Sequence, residues 1–292
     1  MKIKKNIDIV IEKVIFLCGM LSIIFVILIF IFLFIEGSAF FKDFNIIKFI
    51  FGKYWYPNSE PASFGILPFI IGSFLVTFFA CLISVPIGIM SALYISEVAN
   101  KNMRDILKSI IELMAAIPSV VVGFIGMTVL VPYVKKICNI PTGLTAFSGS
   151  IMLAFMSIPT IITISEDAIH SVPWHYREAA LALGATKWQT IKKIVLKAAK
   201  PGIIAAVILG ISRVIGETMA VMMITGNSSR IPNSIFEPVR TITSVIASEM
   251  GEATNGSMHY KALFSIGLIL FLITFIINFI ADLFVRRNKN NK

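Results

Sequence analysis

Six apolar runs, at 14–35, 67–95, 110–133, 144–164, 202–225 and 262–284, are each long enough to cross a bilayer. A spanning helix needs about 20 mostly apolar residues to match a hydrocarbon core about 30 Å thick. No water reaches backbone N–H and C=O groups there, so each run must satisfy its own, and an α-helix does so within one segment. Composition agrees, with 57% hydrophobic and 14% charged residues, against about 25% charged in soluble domains. The expected fold class is all-α, a polytopic membrane protein with six transmembrane helices. The first run follows the basic start MKIKK, as a secretory signal does. It extends for 22 residues, where a signal core has about 7–15, so an uncleaved first helix is expected.

A net charge of +10 could suggest nucleic acid. The basic residues lie instead in connectors between apolar runs, which excludes a single basic face and reports topology. With the N-terminus inside, the inner segments 1–13, 96–109, 165–200 and 285–292 carry 17 Lys and Arg in 71 residues. The outer segments 36–66, 134–143 and 226–261 carry 8 in 77 residues. Basic residues favour the cytoplasmic side, so both termini are expected there. Cys18, Cys81 and Cys138 lie in or beside apolar runs without metal-like spacing, and His170, His175 and His259 form no ligand set. No metal site is expected.

The chain reads as one membrane domain. Residues 1–60 form an N-terminal tail, first helix and outer loop, 61–286 the main domain, and 287–292 a basic tail. Pro86 and Gly88 interrupt the second run, Pro118 opens IPSVVVGFIG in the third, and Pro159 breaks the end of the fourth. Membrane helices tolerate such residues, and kinked, closely packed spans are the expectation.

The inner connector 165–200 patterns as helix, turn, helix. Pro173 suits a helix start, WHYREAALAL is rich in helix formers, and Gly184 can take the left-handed conformation that ends a helix. Thr186 can cap a second helix, KWQTIKKIVLKAAK, with Trp188, Ile191 and Val195 on one face. Such an elbow could rest on lipid headgroups or dock a cytoplasmic partner.

Within 202–225 the only charges are Arg213 and Glu217. A charge at the centre of a span costs roughly 2.5–3.5 kcal/mol. Four residues apart on a helix, the pair shares one face about 6 Å apart along the axis. Neither can easily reach the headgroups, so both should face protein or a water-filled path. Gly210, Gly216 and Ala220 allow a neighbouring helix close, and Ser212 and Thr218 add hydroxyls. A guanidinium donates two parallel hydrogen bonds to an oxyanion and stays charged. A nearby Glu217 would hold Arg213 when the path is empty and loosen the anion when it is full, as conduction requires. The alternative is a structural ion pair within one helix.

Glu178-Ala179-Ala180, then Gly184, then Ile194 and Leu196, resembles the EAA motif of binding-protein-dependent ABC importer permeases. That motif usually ends in Leu-Pro, whereas Lys197 follows here and the nearest proline is Pro201. LALGATKWQTI, RVIGETMAVMMITGN (213–227), SMHYKALFSIGLILFLITFIIN (257–278), IPSVVVGFIG and FGILPFIIGSFLVT (64–77) are similar to the PstC family of phosphate permeases. The similarity runs from about residue 60 to the C-terminus.

The resemblance implies a type I ABC importer permease (MetI-like) fold in a bacterial cytoplasmic (inner) membrane. It implies the transmembrane subunit of an ATP-driven importer of inorganic phosphate, forming the path with a PstA-like permease. Glu178, Ala179, Ala180, Gly184 and Ala185 would couple to an ATPase homodimer, and Arg213, Glu217, Thr218 and Ser212 would line the substrate path. A periplasmic or lipid-anchored phosphate-binding protein would deliver the anion. The chain would itself be no enzyme and hold no cofactor, ATP and Mg²⁺ residing on the ATPase chain. No G-x-x-x-x-G-K-[ST] occurs in the sequence, which excludes a P-loop on this chain. Sulfate or molybdate would fit an arginine as well as phosphate. A proton-coupled secondary anion transporter would be expected to show broken helices in two repeated halves, which the sequence does not display, and would have no use for the EAA-like elbow. A regulatory or structural membrane component without flux of its own is the third alternative.

Overall fold

A computed structural model describes residues 2–290, with side chains described at 11–280 and at Leu283. The lysines of MKIKK and the basic residues of 287–292 therefore have side chains outside the described residues. The chain opens with α1 (Lys2–Phe40), followed by α2 (Ile46–Phe51) and a short antiparallel hairpin of β1 (Trp55–Tyr56) and β2 (Ser63–Phe64). Then come α3 (Leu67–Leu93), α4 (Lys101–Ala116), α5 (Ser119–Ile125), α6 (Val131–Cys138) and α7 (Ala146–His170). The remainder comprises α8 (Trp174–Ala182), α9 (Lys187–Thr190), α10 (Leu196–Gly216), α11 (Met219–Ile224), α12 (Ile242–Glu249) and α13 (Met258–Asn290). π-helical turns at Tyr94–Val98, Gly126–Leu130 and Ile191–Val195 extend or join neighbouring α-helices.

Among the described residues, six helical stretches are long and apolar enough to span: Ile11–Phe40, Leu67–Val98, Ser119–Cys138, Ala146–His170, Lys187–Gly216 and Met258–Ile280. Three of them correct the boundaries expected from hydropathy. The third span begins at Ser119, because Ile117 and Pro118 are extended (ψ 125° and 139°) and separate α4 from it. A residue before proline is pushed out of the helical region by the pyrrolidine ring. The detached α4 is amphipathic, and Asn100 caps it by accepting from the Met103 N–H.

Pro159 does not break the fourth span, since α7 continues through it to His170. The helix is held by packing on both sides. Ile161 is 1% exposed and sits between Gly88 of α3 and Gly210 of α10. A Cβ at either glycine would lie 2.6 Å from an Ile161 side-chain carbon, so hydrogen at those positions is what brings the helices together. Tertiary packing here outweighs the local effect of the proline.

The fifth span also departs from expectation. KWQTIKKIVLKAAK is not a separate surface helix but the start of the span, which passes through Pro201 and ends at Gly216. Trp188 is not buried together with Ile191 and Val195: it is 60% exposed while they are 3% and 0% exposed. The π turn across Ile191–Val195 departs from α-helical spacing, so Val195 loses the register to Trp188 that an unbroken α-helix would give.

The core falls into three apolar clusters. Aromatics (Phe40, Phe49, Trp55, Phe64, Phe69) pack on α12 and α13, joining the hairpin to the bundle. A second cluster includes Val76, Val122, Leu153, Val214 and Val221, and a third Ala92, Ile95, Ile162, Ile169 and Val195. The α1 helix lies against α13, where the Ser265 hydroxyl donates to the Gly37 carbonyl at 2.7 Å. Most of α1 is otherwise exposed by this chain alone, which in a spanning helix means covered by lipid or another subunit.

Candidate functional site

Arg213 stands in the last turn of α10, where a cation meets the negative end of the helix dipole. One Nη1–H donates to the Thr160 hydroxyl of α7 at 2.8 Å, and the side chain is otherwise exposed on this chain. The helix then stops. Glu217 is extended (φ −70°, ψ 133°), and α11 restarts at Met219.

This break overturns the expected intrahelical pair. Among the described residues the ion pairs do not include Arg213 with Glu217. Leaving the helical register after Gly216 turns the Glu217 carboxylate forward, to accept from the Ala220 N–H at 3.3 Å. Its backbone carbonyl accepts from the Thr243 hydroxyl at 2.8 Å, tying the break to α12. Both residues still border one narrow seam with Leu153, Met156 and Ser157.

Ser212 and Thr218 are committed locally. The Ser212 hydroxyl donates to Asn278 Oδ1 of α13 at 2.8 Å, and the Thr218 hydroxyl to the Gly216 carbonyl at 3.2 Å. Of the four candidates, Arg213 therefore presents guanidinium donors at the chain surface, while Ser212, Glu217 and Thr218 hydrogen-bond to neighbouring groups of the chain. A guanidinium has five N–H donors, and Thr160 occupies one of them. The remaining fork is suited to an oxyanion arriving from outside the chain.

The elbow forms as its residues require. Pro173 precedes α8, Gly184 takes φ +77°, and Thr186 with Gln189 makes a reciprocal capping box at the next helix. Glu178, Ala179 and Gly184 are exposed, Ala185 is half-buried, and Ala180 is 9% exposed. Trp174, Tyr176, Leu181 and Trp188 are exposed beside Leu183, which is 89% exposed. Clustered large apolar side chains on a surface mark an interaction site.

Two further groupings escaped the sequence reading, because their members lie far apart in the chain. Beside the hairpin, Glu249 accepts from Arg240 Nη1 at 2.6 Å and from Trp55 Nε1 at 2.9 Å, and lies 2.8 Å from His259 Nε2. This network borders a cavity of about 430 Å³ beside the hairpin. Towards the elbow, buried Glu166 of α7 pairs with Arg104 and Lys108 of α4 at 2.6 and 2.7 Å, and Arg177 pairs with Glu97. The only sequence signal for these was the presence of charges at span ends.

Residues 84–290 match the family model described as a binding-protein-dependent transport system inner membrane component. Over 261 residues the chain is 41% identical to a probable ABC transporter permease protein, YqgH, of Bacillus subtilis, covering 89% of this chain and 84% of that protein. It is 34% identical over 259 residues to the phosphate transport system permease protein PstC of Pasteurella multocida, covering 82% and 80%. In fold it is similar to a chain of a bacterial alginate ABC transporter, with a TM-score of 0.67 at 19% identity over 96% of both chains. The family match and these likenesses agree with the six-span fold: the chain belongs to the family of binding-protein-dependent transport system inner membrane components.

Proposed function

We propose that this chain is the permease subunit of an ATP-driven importer of inorganic phosphate, forming the path with a PstA-like partner. The observation that carries this reading is Arg213. It is a guanidinium near the end of a spanning helix, braced by Thr160 and exposed where a second subunit would face it. A lipid-facing arginine at that depth would be strongly unfavourable, whereas one lining an aqueous seam can bind and release an oxyanion. The phosphate-permease relatives supply the choice of anion. A periplasmic or lipid-anchored binding protein would deliver phosphate, and an ATPase pair carrying ATP and Mg²⁺ would seat on the elbow. Closure of the ATPases would move the elbow and turn the seam outward. With six spans both termini would lie on the elbow's side of the membrane, and the excess of Lys and Arg in the connectors of that side favours the cytoplasm.

The test is uptake of labelled phosphate in cells lacking other phosphate importers. Arg213→Ala should abolish uptake while the complex still assembles, and excess sulfate or molybdate should not compete. Normal uptake by the variant refutes the role of Arg213, and competition by sulfate reassigns the anion.

A further inference from the structure

The elbow is nearly detached from the bundle. Of the nine residues of α8, only Arg177 and Ala180 are buried. Arg177 is the polar member of that pair, 6% exposed, and its guanidinium meets separate parts of the chain. Nη2 donates to Glu97 Oε1 at 2.5 Å, and Nε lies 3.2 and 3.4 Å from the two oxygens of the same carboxylate. Nη1 donates to the Val172 carbonyl at 2.6 Å, and Nη2 also to the Ile169 carbonyl at 3.2 Å. The Trp174 ring lies 5.4 Å from Cζ.

These partners belong to different elements. Glu97 lies in the π turn that ends the second span, and Ile169 in the last turn of α7. Val172 lies in the connector to α8. A buried ion pair adds little net stability, because desolvation offsets attraction, but a multidentate one fixes geometry. Lysine could not replace it, since an ammonium lacks the planar fork.

The route continues along α7. Thr160 lies nine residues before Ile169, about 13 Å along a helix rising about 1.5 Å per residue, and holds Arg213 at 2.8 Å. Ile161, the next residue, is clasped between Gly88 of α3 and Gly210 of α10. A displacement at the end of α7 is thus carried by packed elements to the Arg213 seam.

We propose that Arg177 is the positioning residue that couples the elbow to transport. It makes α8, the end of the second span and the end of α7 move as one body, so that motion delivered by the ATPases reaches Thr160 and Arg213. This inference rests on the importer reading above.

The experiment uses the complete importer, with both permeases and the ATPases, reconstituted in proteoliposomes with its binding protein. Phosphate imported per ATP hydrolysed is measured for the wild type, Arg177→Lys, Glu97→Gln and the double variant. Absence of phosphate import by the wild type would fail the importer reading, separately from the coupling role. With import established, each single variant should hydrolyse ATP in response to the binding protein yet import roughly 2- to 30-fold less phosphate per ATP, the range expected for residues on a coupling route. The double variant should be no worse than the worse single one, because both remove the same link. An unchanged ratio overturns the proposal, as do hydrolysis and import falling in proportion or additive losses in the double variant. Failure of all variants to assemble with the ATPases also overturns it, leaving Arg177 a purely structural residue.

Discussion

Gly184→Ala isolates one physical term at the elbow. Gly184 has φ +77°, and a Cβ built there meets nothing within 4 Å. Steric clash with neighbours therefore contributes nothing, and the whole effect is the cost of a left-handed L-residue, about 1–2 kcal/mol. One to two kcal/mol lowers the population of a closed turn by a factor of roughly 5–30. The turn is closed by the Gly184 N–H to the Leu181 carbonyl at 2.9 Å and the Ala185 N–H to the Ala180 carbonyl at 3.1 Å. Hydrogen–deuterium exchange of those amides should accelerate by the same factor of roughly 5–30, since local opening sets their protection. Gly184→Asn is the control. Asparagine tolerates this region, and the chain already places Asn139 and Asn227 at φ 50°. Asn should remain close to wild type in exchange and in ATP-coupled uptake, with Ala impaired in both. Equal behaviour of Ala and Asn, or wild-type exchange in Ala, would refute the backbone argument. Gly184→Leu carries the same backbone cost and adds bulk at the surface beside Leu183, so it should uncouple ATP hydrolysis from transport more severely.

Packing and the Glu249 network give two further expectations. Gly210→Ala forces a methyl to 2.6 Å from Ile161 Cγ1, a side chain already held from the other side by Gly88. Overpacking of this kind destabilises by about 1–3 kcal/mol; it should lower the thermal midpoint in detergent, and its loss combined with Ile161→Ala should be smaller than the sum of the two. Trp55→Phe removes the 2.9 Å bond to Glu249 and keeps the aromatic packing. Hydrogen bonds to charged groups contribute about 1.5–3 kcal/mol, so amide exchange across 52–66 should rise while α7 stays protected; an unchanged hairpin would show that the network does not hold it.

The apolar runs determined the class of fold because the bilayer leaves so few solutions: a run of sufficient length must be a helix. Elbow chemistry was equally legible, since Pro173, Gly184 and Thr186 act through local dihedrals and hydrogen bonds, and each takes its expected place. What required tertiary structure was every outcome decided by contacts between distant residues. Pro159 stays within a helix because Ile161 is gripped by glycines of two other spans. The fifth span starts early because Val195 and Ala199 join a buried apolar cluster, and it ends at Gly216, where the Thr243 hydroxyl donates to the freed Glu217 carbonyl. Arg213 and Glu217 were singled out by cost, since charges in an apolar run are visible in any sequence. Their relation was not, because helical spacing holds only while the helix lasts. Arg177 and Glu97 are 80 residues apart, so only the fold could bring them together. Sequence alone determined six membrane helices, an elbow and two anomalous charges; the tertiary structure decided which charges pair, because pairing depends on distance in space and not along the chain.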